Sequence, residues 1–369
     1  MIRYLVPRRE DYTIREFLEL WGRPLAGRMA VEHYEDLPSR RELPPGAYIF
    51  SALDHVTPSG LRLVSDVAGR VGRAGPGFSV LNSPDRALLR FELLEELHRR
   101  GWNSHRAVRA SGDLEGLRYP VFVRDERWHT GTLSPLLRTR AELKAALARA
   151  IVRGHRLGDL LAVEFTDTAD SRGVFRKYAA FRIGPAIVAR SVAVGRHWML
   201  KFEGSEHTES TYREEADYVR ENPHEDALRH VFDLAGTDYG RIDYSMKDGA
   251  PVVWEINLNP SIGRGLRPAS TVLSDGLRSR REETKARFYE RFLAAFDAID
   301  AGDGASPVAA PPAVEAAAPL TFVERPNRFA VARRVLRPAR RLIDRVASAA
   351  SSVLLFAART ASPRNRARP

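Results

Sequence analysis

The feature that most constrains this chain is a pair of segments near residue 250 that predicts a β-hairpin with two unlike faces. Residues 239–244 read YGRIDY, and residues 251–260 read PVVWEINLNP. Successive side chains of a strand point to opposite faces. The apolar face of the second segment would carry Val252, Trp254, Ile256 and Leu258. The other face would carry Glu255, Asn257 and Asn259, each of which offers an oxygen atom.

The preceding strand adds charged groups to the polar face. Arg241 and Asp243 lie two residues apart and therefore share one face, and Lys247-Asp248-Gly249 is typical of a hairpin turn. Two antiparallel strands would bring two carboxylates and an amide together. Such oxygen ligands suit Mg²⁺, which usually binds through one or two carboxylates and the phosphates of a substrate. The alternative is an edge hairpin with solvated polar residues.

Composition excludes several classes of site. The chain has 369 residues, of which 44% are apolar and 9% aromatic, enough for two or three domains with sizeable cores. It has no cysteine, which excludes disulfides, thiolate zinc sites and cysteine nucleophiles. Residues 1–10 lack the apolar core of a signal peptide, and no run of about 18 apolar residues predicts a spanning helix. We expect a cytoplasmic protein.

The net charge of +11 belongs almost entirely to the C-terminal tail. Residues 321–369 hold twelve arginines, no lysine and two acids, a net of +10, so the first 320 residues carry +1. A specific nucleic-acid surface on the body is therefore not expected. The apolar stretch Val346–Ala358 is too short to span a bilayer, but beside the arginines it fits an interfacial helix. Docking to an anionic membrane surface, contact with an acidic partner or nucleic acid, and a solvated tail all remain open.

Composition and pattern divide the chain into five parts. The strand Ala47–Leu53, the helix Pro58–Arg73 capped by Thr57 and the strand Gly77–Leu81 form a βαβ unit, which favours a parallel sheet. Ala- and Pro-rich residues near 301–320 are typical of a linker. The predicted parts are an N-terminal extension (1–45), an α/β domain (46–116), a larger α+β region (117–300), a linker (301–320) and a basic, partly amphipathic tail (321–369).

The hairpin closely resembles the metal-binding end of the ATP-grasp superfamily, in particular that of the D-alanine–D-alanine ligases. Gly240-Arg241-Ile242-Asp243, followed by Glu255-Ile256-Asn257 ahead of Pro260, carries the resemblance. More weakly, residues 120–124 resemble the first phosphate-binding strand, and Val163-Glu164-Phe165 resembles the adenine hinge. The resemblance covers about residues 46–300. It implies an α/β and α+β fold, in which a pre-ATP-grasp α/β domain precedes two α+β lobes that clamp ATP.

The resemblance also assigns roles to the hairpin residues. It implies that Asp243, Glu255 and Asn257 are ligands of Mg²⁺, or of Mn²⁺, bridging the phosphates of ATP. It implies that Arg241 is catalytic and holds an acyl phosphate or the oxyanion of a tetrahedral intermediate. A structural ion pair of Arg241 with Asp243 or Glu255 is the alternative.

Further ATP contacts are implied upstream of the hairpin. Arg124 stands where the family most often has a lysine directed at the phosphates, and the loop after it contains His129, a proton carrier or a surface residue. Glu164 would accept a hydrogen bond from the adenine amino group, next to Phe165 in place of the usual lysine. Asp167, with Asp170 as runner-up, would bind the ribose hydroxyls. Candidate phosphate contacts are Lys177 and Lys201.

The function implied is ATP-dependent ligation of a small-molecule or peptide carboxylate to an amine or other nucleophile, through an acyl phosphate. Two alternatives stay open because a fold does not fix its chemistry. One is a small-molecule kinase of the same fold, and the other is a silent nucleotide-binding scaffold that acts through its basic tail. Related ligases are often dimers, so a homodimer is compatible with the resemblance, as is a peripheral position at the membrane through the tail.

Overall fold

The computed structural model describes residues 1–129, 131–201, 204–262, 275–300, 306–310 and 320–327. Within this part of the chain, three sheets of three or four strands follow one another in sequence. The first is parallel, and the other two are antiparallel. The mixed α/β and α+β fold is thus the predicted one, with an α/β domain ahead of two α+β lobes.

The first domain is built on a parallel sheet with the strand order β2-β1-β4-β5. In chain order its elements are β1 (Ile2–Val6), α1 (Tyr12–Leu20), β2 (Met29–His33), β3 (Glu42–Leu43), β4 (Gly46–Phe50), α2 (Pro58–Arg73), β5 (Phe78–Leu81) and α3 (Arg90–Arg99). Thr57 caps α2 as predicted, since its hydroxyl accepts from the Gly60 N–H at 3.3 Å. Short 3₁₀ turns lie between several of these elements, including Leu53–His55.

Residues 1–45 differ from the prediction of an N-terminal extension. They supply β1, β2 and β3, and β1 lies inside the sheet between β2 and β4. The residues Ile2, Tyr4, Leu5 and Val6 are fully buried. A strand covered on both faces reads as a continuous apolar run instead of an alternating one, and its parallel partners are distant in sequence. The domain therefore begins at the first residues of the chain.

A small antiparallel sheet with the order β6-β8-β7 forms the second part. Its elements are β6 (Ala107–Arg109), β7 (Val121–Asp125), α4 (Arg140–Val152) and β8 (Leu160–Glu164). Buried residues of α4 cover one face of this sheet, among them Leu143 and Leu147, which pack with Val121 and Val123. The sheet presents Phe122, Arg124 and Phe165 to the cavity described below.

The third part is a four-stranded antiparallel sheet with the order β10-β9-β11-β12. Its elements are β9 (Phe175–Ile183), β10 (Ala186–Gly195), α5 (Glu209–Glu221), α6 (Glu225–Leu234), β11 (Tyr239–Lys247), β12 (Ala250–Asn257) and α7 (Asp275–Ile299). One face packs on α7, where Phe181 contacts Phe288 and Phe292. The opposite face places Ile242 and Tyr244 in a core with α6.

The predicted hairpin is formed by β11 and β12, with one irregularity. Asp243 is the partner of Glu255 and Arg241 that of Asn257, but the register shifts between Asp243 and Tyr244, which is a β-bulge. The bulge breaks the predicted alternation. Val253 joins the core, and Trp254 lines the same cavity as Glu255. The predicted apolar face is therefore wrong at Trp254, because the extra residue puts this side chain on the cavity side, while Ile256 and Leu258 keep the predicted apolar side.

The described pieces beyond α7 lie on the first domain. β13 (Val308–Ala309) pairs with β3, so this part of the predicted linker is a strand. Residues 320–327 run along the domain, where the Val323 N–H donates to the His55 carbonyl at 2.9 Å. The other predictions for the tail, including the interfacial helix at Val346–Ala358, concern residues outside the described ranges. Among the helices of the described residues, none is long and apolar enough to cross a membrane.

Candidate active site

The polar face of the hairpin forms one wall of a cavity of about 840 Å³ between the three sheets. Ligand sites are clefts of roughly 300–1,000 Å³, so this cavity is large enough for a nucleotide and a second small molecule. Its lining includes eight of the site residues to which the sequence analysis assigns a role. They are Arg124, Phe165, Lys177, Lys201, Arg241, Asp243, Glu255 and Asn257.

Asp243 is held by two cations of its own sheet. The Arg241 Nε donates to Oδ1 at 2.9 Å, and the Lys177 Nζ donates to Oδ2 at 3.1 Å. Asp243 is buried, and Lys177 keeps 32% of its side chain exposed. Burial raises the pKa of Asp243, but the charges of Arg241 and Lys177 outweigh it, so the pKa lies below its usual value. Asp243 is therefore an anion at neutral pH.

Glu255 is held by groups from other parts of the chain. Its Oε2 accepts from the Arg124 Nη2 at 2.7 Å, from Arg90 in a shorter contact, and lies 3.2 Å from the His129 Nδ1. Burial raises the pKa of Glu255, but the charges of Arg90 and Arg124 outweigh it and hold the pKa well below its usual range. Burial and the charge of Arg90 lower the pKa of Arg124 to about 10. Both partners therefore stay charged at neutral pH.

Arg90, at the start of α3, is a site residue that the sequence reasoning missed. Only 2% of its side chain is exposed. Its Nη1 donates to the carbonyls of Asp125 and Glu126 at 2.6 and 2.9 Å, and its Nη2 reaches His129 and Glu255. One guanidinium therefore joins the first domain, the loop after β7 and the hairpin.

His129 lies inside the site and connects Glu255 to a second acid. Its Nε2 is 2.8 Å from the Asp54 Oδ2, which comes from the 3₁₀ turn after β4. Burial and the charge of Arg90 lower the pKa of His129, but the carboxylates of Asp54 and Glu255 outweigh them, and the net shift is upward. The loop histidine is thus a half-buried member of the site that bridges two carboxylates, and not a surface residue.

The oxygen atoms of the hairpin fit a magnesium ion that is shared with phosphates. Among the described residues, the Glu255 Oε2 takes every hydrogen bond to that carboxylate, which leaves Oε1 with open lone pairs. The Asn257 Oδ1 accepts one bond, from the Asn259 N–H at 2.9 Å, and has a second lone pair. No cluster of three His, Cys, Asp or Glu side chains in the described ranges could hold a metal alone. Phosphate oxygens would have to complete the shell, as is usual for Mg²⁺.

The opposite end of the cavity is aromatic. The Trp198 ring lies 5.1 Å from that of Phe122 and 5.8 Å from that of Phe165, between centroids. A flat apolar slot of this kind suits a purine base. Sequence reasoning named Phe165 but missed Trp198, which follows β10 in a segment without a clear pattern.

Lys201 reaches the loop that follows β7. A Cβ atom on Gly131 would lie 3.4 Å from the Lys201 Nζ, and Gly131 has φ +91°, where side chains are strained. A glycine therefore permits this approach of the lysine to the loop. The position agrees with the predicted phosphate contact of Lys201, which stays a prediction.

Two predicted ATP contacts are not brought into the cavity. The Glu164 carboxylate is buried and accepts from the backbone N–H and side chain of both Arg106 and Arg118, at 2.8–3.2 Å. It has no oxygen turned toward the cavity wall, so the predicted adenine contact has no support here. Asp167 is exposed and caps the Ala169 N–H at 3.0 Å, while its neighbours Thr166 and Thr168 line the cavity. Asp170 instead pairs with Arg176.

The charges around the hairpin leave a positive excess. Four cations face the two carboxylates: Arg90, Arg124, Lys177 and Arg241. A triphosphate in this place would add several negative charges to a site that carries two more positive than negative side chains, which favours its binding.

Comparison with known proteins finds similarity in solved structures alone. A scan of protein-family models gives no match, and a search of curated proteins gives none either. A D-alanine–D-alanine ligase from Bacillus anthracis is 11% identical, with a TM-score of 0.45 over 81% of this chain and 96% of that one.

Two further structures are similar in the same way. A RimK domain ATP-grasp protein from Sphaerobacter thermophilus is 14% identical, with a TM-score of 0.40 over 79% of this chain and 100% of that one. An L-amino acid ligase from Bacillus licheniformis is 18% identical, with a TM-score of 0.35 over 69% and 55% of the two chains. These are likenesses of overall fold at low identity, and the substrates of those proteins are not carried over.

Proposed function

We propose that this chain, with an α/β domain ahead of two lobes that enclose a cation-rich cavity, is an ATP- and Mg²⁺-dependent ligase that joins a carboxylate to an amine or other nucleophile. One observation carries the proposal. Asp243 and Glu255 are register partners on the polar face of a hairpin, with four cations around them and an aromatic slot at the other end of the cavity. That arrangement suits a nucleotide whose base lies in the slot and whose phosphates lie over the hairpin.

Different residues of the site would have different roles in carboxylate activation. Asp243, Glu255 and Asn257 would hold Mg²⁺, which when bound neutralises charge on the phosphates during transfer. Lys177, Arg124 and Lys201 would orient the phosphates. The carboxylate oxygen of the substrate attacks the γ-phosphorus, and the bond to the ADP oxygen breaks.

Arg241 would serve the second step. The nucleophile attacks the acyl carbon, an oxyanion develops, and inorganic phosphate leaves with the bonding electrons while an amine nucleophile releases one proton. A guanidinium is always charged and offers several donors, so Arg241 can stabilise both the acyl phosphate and the oxyanion. Among the described residues its bond to Asp243 uses Nε alone, so the terminal nitrogens can reach substrate.

The test is a phosphate-release screen with ATP, Mg²⁺ and pools of amino acids, peptides and small carboxylic acids. A ligase releases ADP and phosphate only when both substrates are present, whereas a kinase transfers the phosphoryl group to a single acceptor. Activity in one pool that is lost in Asp243→Asn supports the proposal. Silence in every pool despite tight ATP binding contradicts it.

A silent nucleotide-binding scaffold is the second candidate, favoured by one observation. Both hairpin carboxylates already have cationic partners on the protein, so neither needs a metal to neutralise its charge. Glu255→Gln separates the two. The substitution should abolish turnover in a ligase, whereas it should leave ATP binding by a scaffold largely intact.

A further inference from the structure

A second, smaller cavity of about 200 Å³ adjoins the first at the hairpin. Lys177, Arg241, Asp243 and Ser261 line both cavities, so the two meet at the predicted phosphate-transfer point. The floor of the second cavity is the face of β9, β10 and β11 that carries Asp243. Its walls are α5 and the first turns of α7.

The inner part of this cavity is rich in cations. Beyond the shared residues it is lined by Arg190, Arg281 and Lys285 and by one acid, Glu215. Arg281 is buried and lies 5.8 Å from the centre of the Tyr212 ring. The Lys285 Nζ pairs with a Glu282 oxygen at 2.5 Å. Mixed polar groups converge here, although the nucleotide and metal chemistry proposed above uses none of them.

Arg190 is the residue in this cavity whose charge is least satisfied. Its guanidinium lies over the Phe288 ring at 4.6 Å, and no acid of the described residues lies within ion-pair distance of it. Burial lowers the pKa of Arg190, and the nearby charges of Arg241 and Arg281 lower it further against the pull of Glu215. Three guanidinium groups within Coulomb range of one another make an anion in the cavity strongly favourable.

We propose that the cavity binds the distal carboxylate of a small dicarboxylate substrate, whose near carboxylate reaches Arg241 and is activated there. This inference rests on the proposed ligase function and names the substrate class for it. Arg241 lines both cavities and Arg190 lines the second alone, so a molecule with two anionic ends can satisfy both guanidinium groups. A volume of about 200 Å³ admits a short acid but not a folded peptide or a second nucleotide.

The chemistry balances without another reactant. An oxygen of the near carboxylate forms a bond to the γ-phosphorus while the bond to the ADP oxygen breaks. The distal carboxylate keeps its charge throughout, because Arg190 and Arg281 stabilise it as an anion. A monoamide of the same acid could still be activated, but its neutral amide end would give the Arg190 guanidinium no ion pair.

The test is direct binding measured by isothermal titration on the full chain without nucleotide. The probes are unbranched four-, five- and six-carbon dicarboxylates, each against its own monoamide. We expect at least one dicarboxylate to bind roughly tenfold or more tightly than its monoamide. Arg190→Gln should weaken that binding by about tenfold or more. The matched control is Arg196→Gln, an arginine 69% exposed beyond β10, which should leave the dicarboxylate affinity unchanged.

A second variant distinguishes the loss of a binding contact in Arg190→Gln from a folding defect. Glu215→Gln removes a negative charge from the cavity, so it should tighten dicarboxylate binding by about threefold or more, a gain that a damaged fold does not produce. Equal binding of acid and monoamide, or no binding of any dicarboxylate, overturns the inference. So does weaker dicarboxylate binding in Glu215→Gln.

The two proposals can fail separately. A parallel titration with a non-hydrolysable ATP analogue and Mg²⁺ tests the nucleotide site of the same preparation. If the analogue binds and no dicarboxylate does, the inference is overturned and the ligase proposal stands. If a dicarboxylate binds with the expected variant pattern and the analogue does not, the cavity assignment is supported and the ligase proposal fails.

Discussion

Asp243 and Glu255 face each other across one hairpin, yet they are held in different ways. Asp243 is paired with Lys177 and Arg241, which lie on β9 and β11 of its own sheet. Glu255 is paired with Arg90 of the first domain and Arg124 of the second sheet. The first acid is thus a local group, whereas the second lies where the three parts of the fold meet. The difference predicts that Glu255 couples the parts and Asp243 does not.

The largest expected effect is the difference in unfolding free energy between two variants, Glu255→Gln and Asp243→Asn. Loss of Glu255 leaves two buried arginines without a counter-charge, which should cost about 3 kcal/mol or more of unfolding free energy. Loss of Asp243 should cost about 1–2 kcal/mol, because Lys177 can turn toward solvent. Unfolding in urea measures both. As a control, Glu221→Gln on the exposed end of α5 should change the free energy by less than about 0.5 kcal/mol.

An equal or larger loss in Asp243→Asn would contradict the comparison, since it would place the coupling group on the wrong acid.

Substitution of the cationic partners should show the same difference between the two acids, with smaller losses of unfolding free energy. Arg90→Met removes a buried guanidinium that donates to several backbone carbonyls, and we expect a loss of about 2–3 kcal/mol. Lys177→Met should cost about 1 kcal/mol or less, because this lysine is partly exposed. A double-mutant cycle in urea measures the coupling of each cation to its acid. A coupling for Arg90 with Glu255 no greater than that for Lys177 with Asp243 would be inconsistent with this account.

Acid should remove the contribution of both carboxylates to the free energy of unfolding. A carboxylate whose pKa is lowered by folding adds stability above its unfolded value of about 4, and that stability is lost as the pH falls through the folded pKa. The pKa values of Asp243 and Glu255 are both lowered. The stability gaps between wild type and Asp243→Asn, and between wild type and Glu255→Gln, should therefore be largest near neutral pH and narrow as the pH falls below about 4. Urea unfolding at about pH 7, 4 and 3 checks this, and a gap that widens toward pH 3 would be inconsistent with it.

The smallest expected loss of unfolding free energy comes from a helix cap that contacts neither Asp243 nor Glu255. The Thr139 hydroxyl caps α4 by accepting from the Glu142 N–H at 3.2 Å. Thr139→Ala should cost about 1 kcal/mol of unfolding free energy. It should leave nucleotide affinity unchanged, because α4 is remote from the hairpin. A change in nucleotide affinity would mean that the second sheet transmits disturbance to the site as a whole.

The sequence predicts well the local feature of the site, which is the hairpin that carries Asp243 and Glu255. The hairpin combines a period of two with a turn, and Arg241, Asp243, Glu255 and Asn257 meet as expected. Its one error is at Trp254, since a bulge has no signature in the residue pattern. The first domain was predicted only from Gly46 onward, because β1 pairs with strands more than twenty residues away and has no alternating pattern of its own.

The sequence does not predict the contacts between residues that are distant along the chain, and the reasons can be identified. Arg90 shares a helical face with Leu93, Leu94 and Leu97, so a charged residue on an apolar stripe was the available signal. The resemblance to an adenine hinge makes Glu164 a ligand, but Arg106 and Arg118, which neutralise it, lie more than forty residues away. Partners that are distant in sequence cannot be assigned from spacing alone.

The most direct test of the central claim is the affinity of Mn²⁺, as a paramagnetic substitute for Mg²⁺, for the protein with a non-hydrolysable ATP analogue. Electron paramagnetic resonance should show bound Mn²⁺ in the wild type, with an affinity reduced by about tenfold or more in both Asp243→Asn and Glu255→Gln. Mn²⁺ bound equally well by the wild type and both variants would contradict the assignment of these two acids as the metal-binding side of an ATP site.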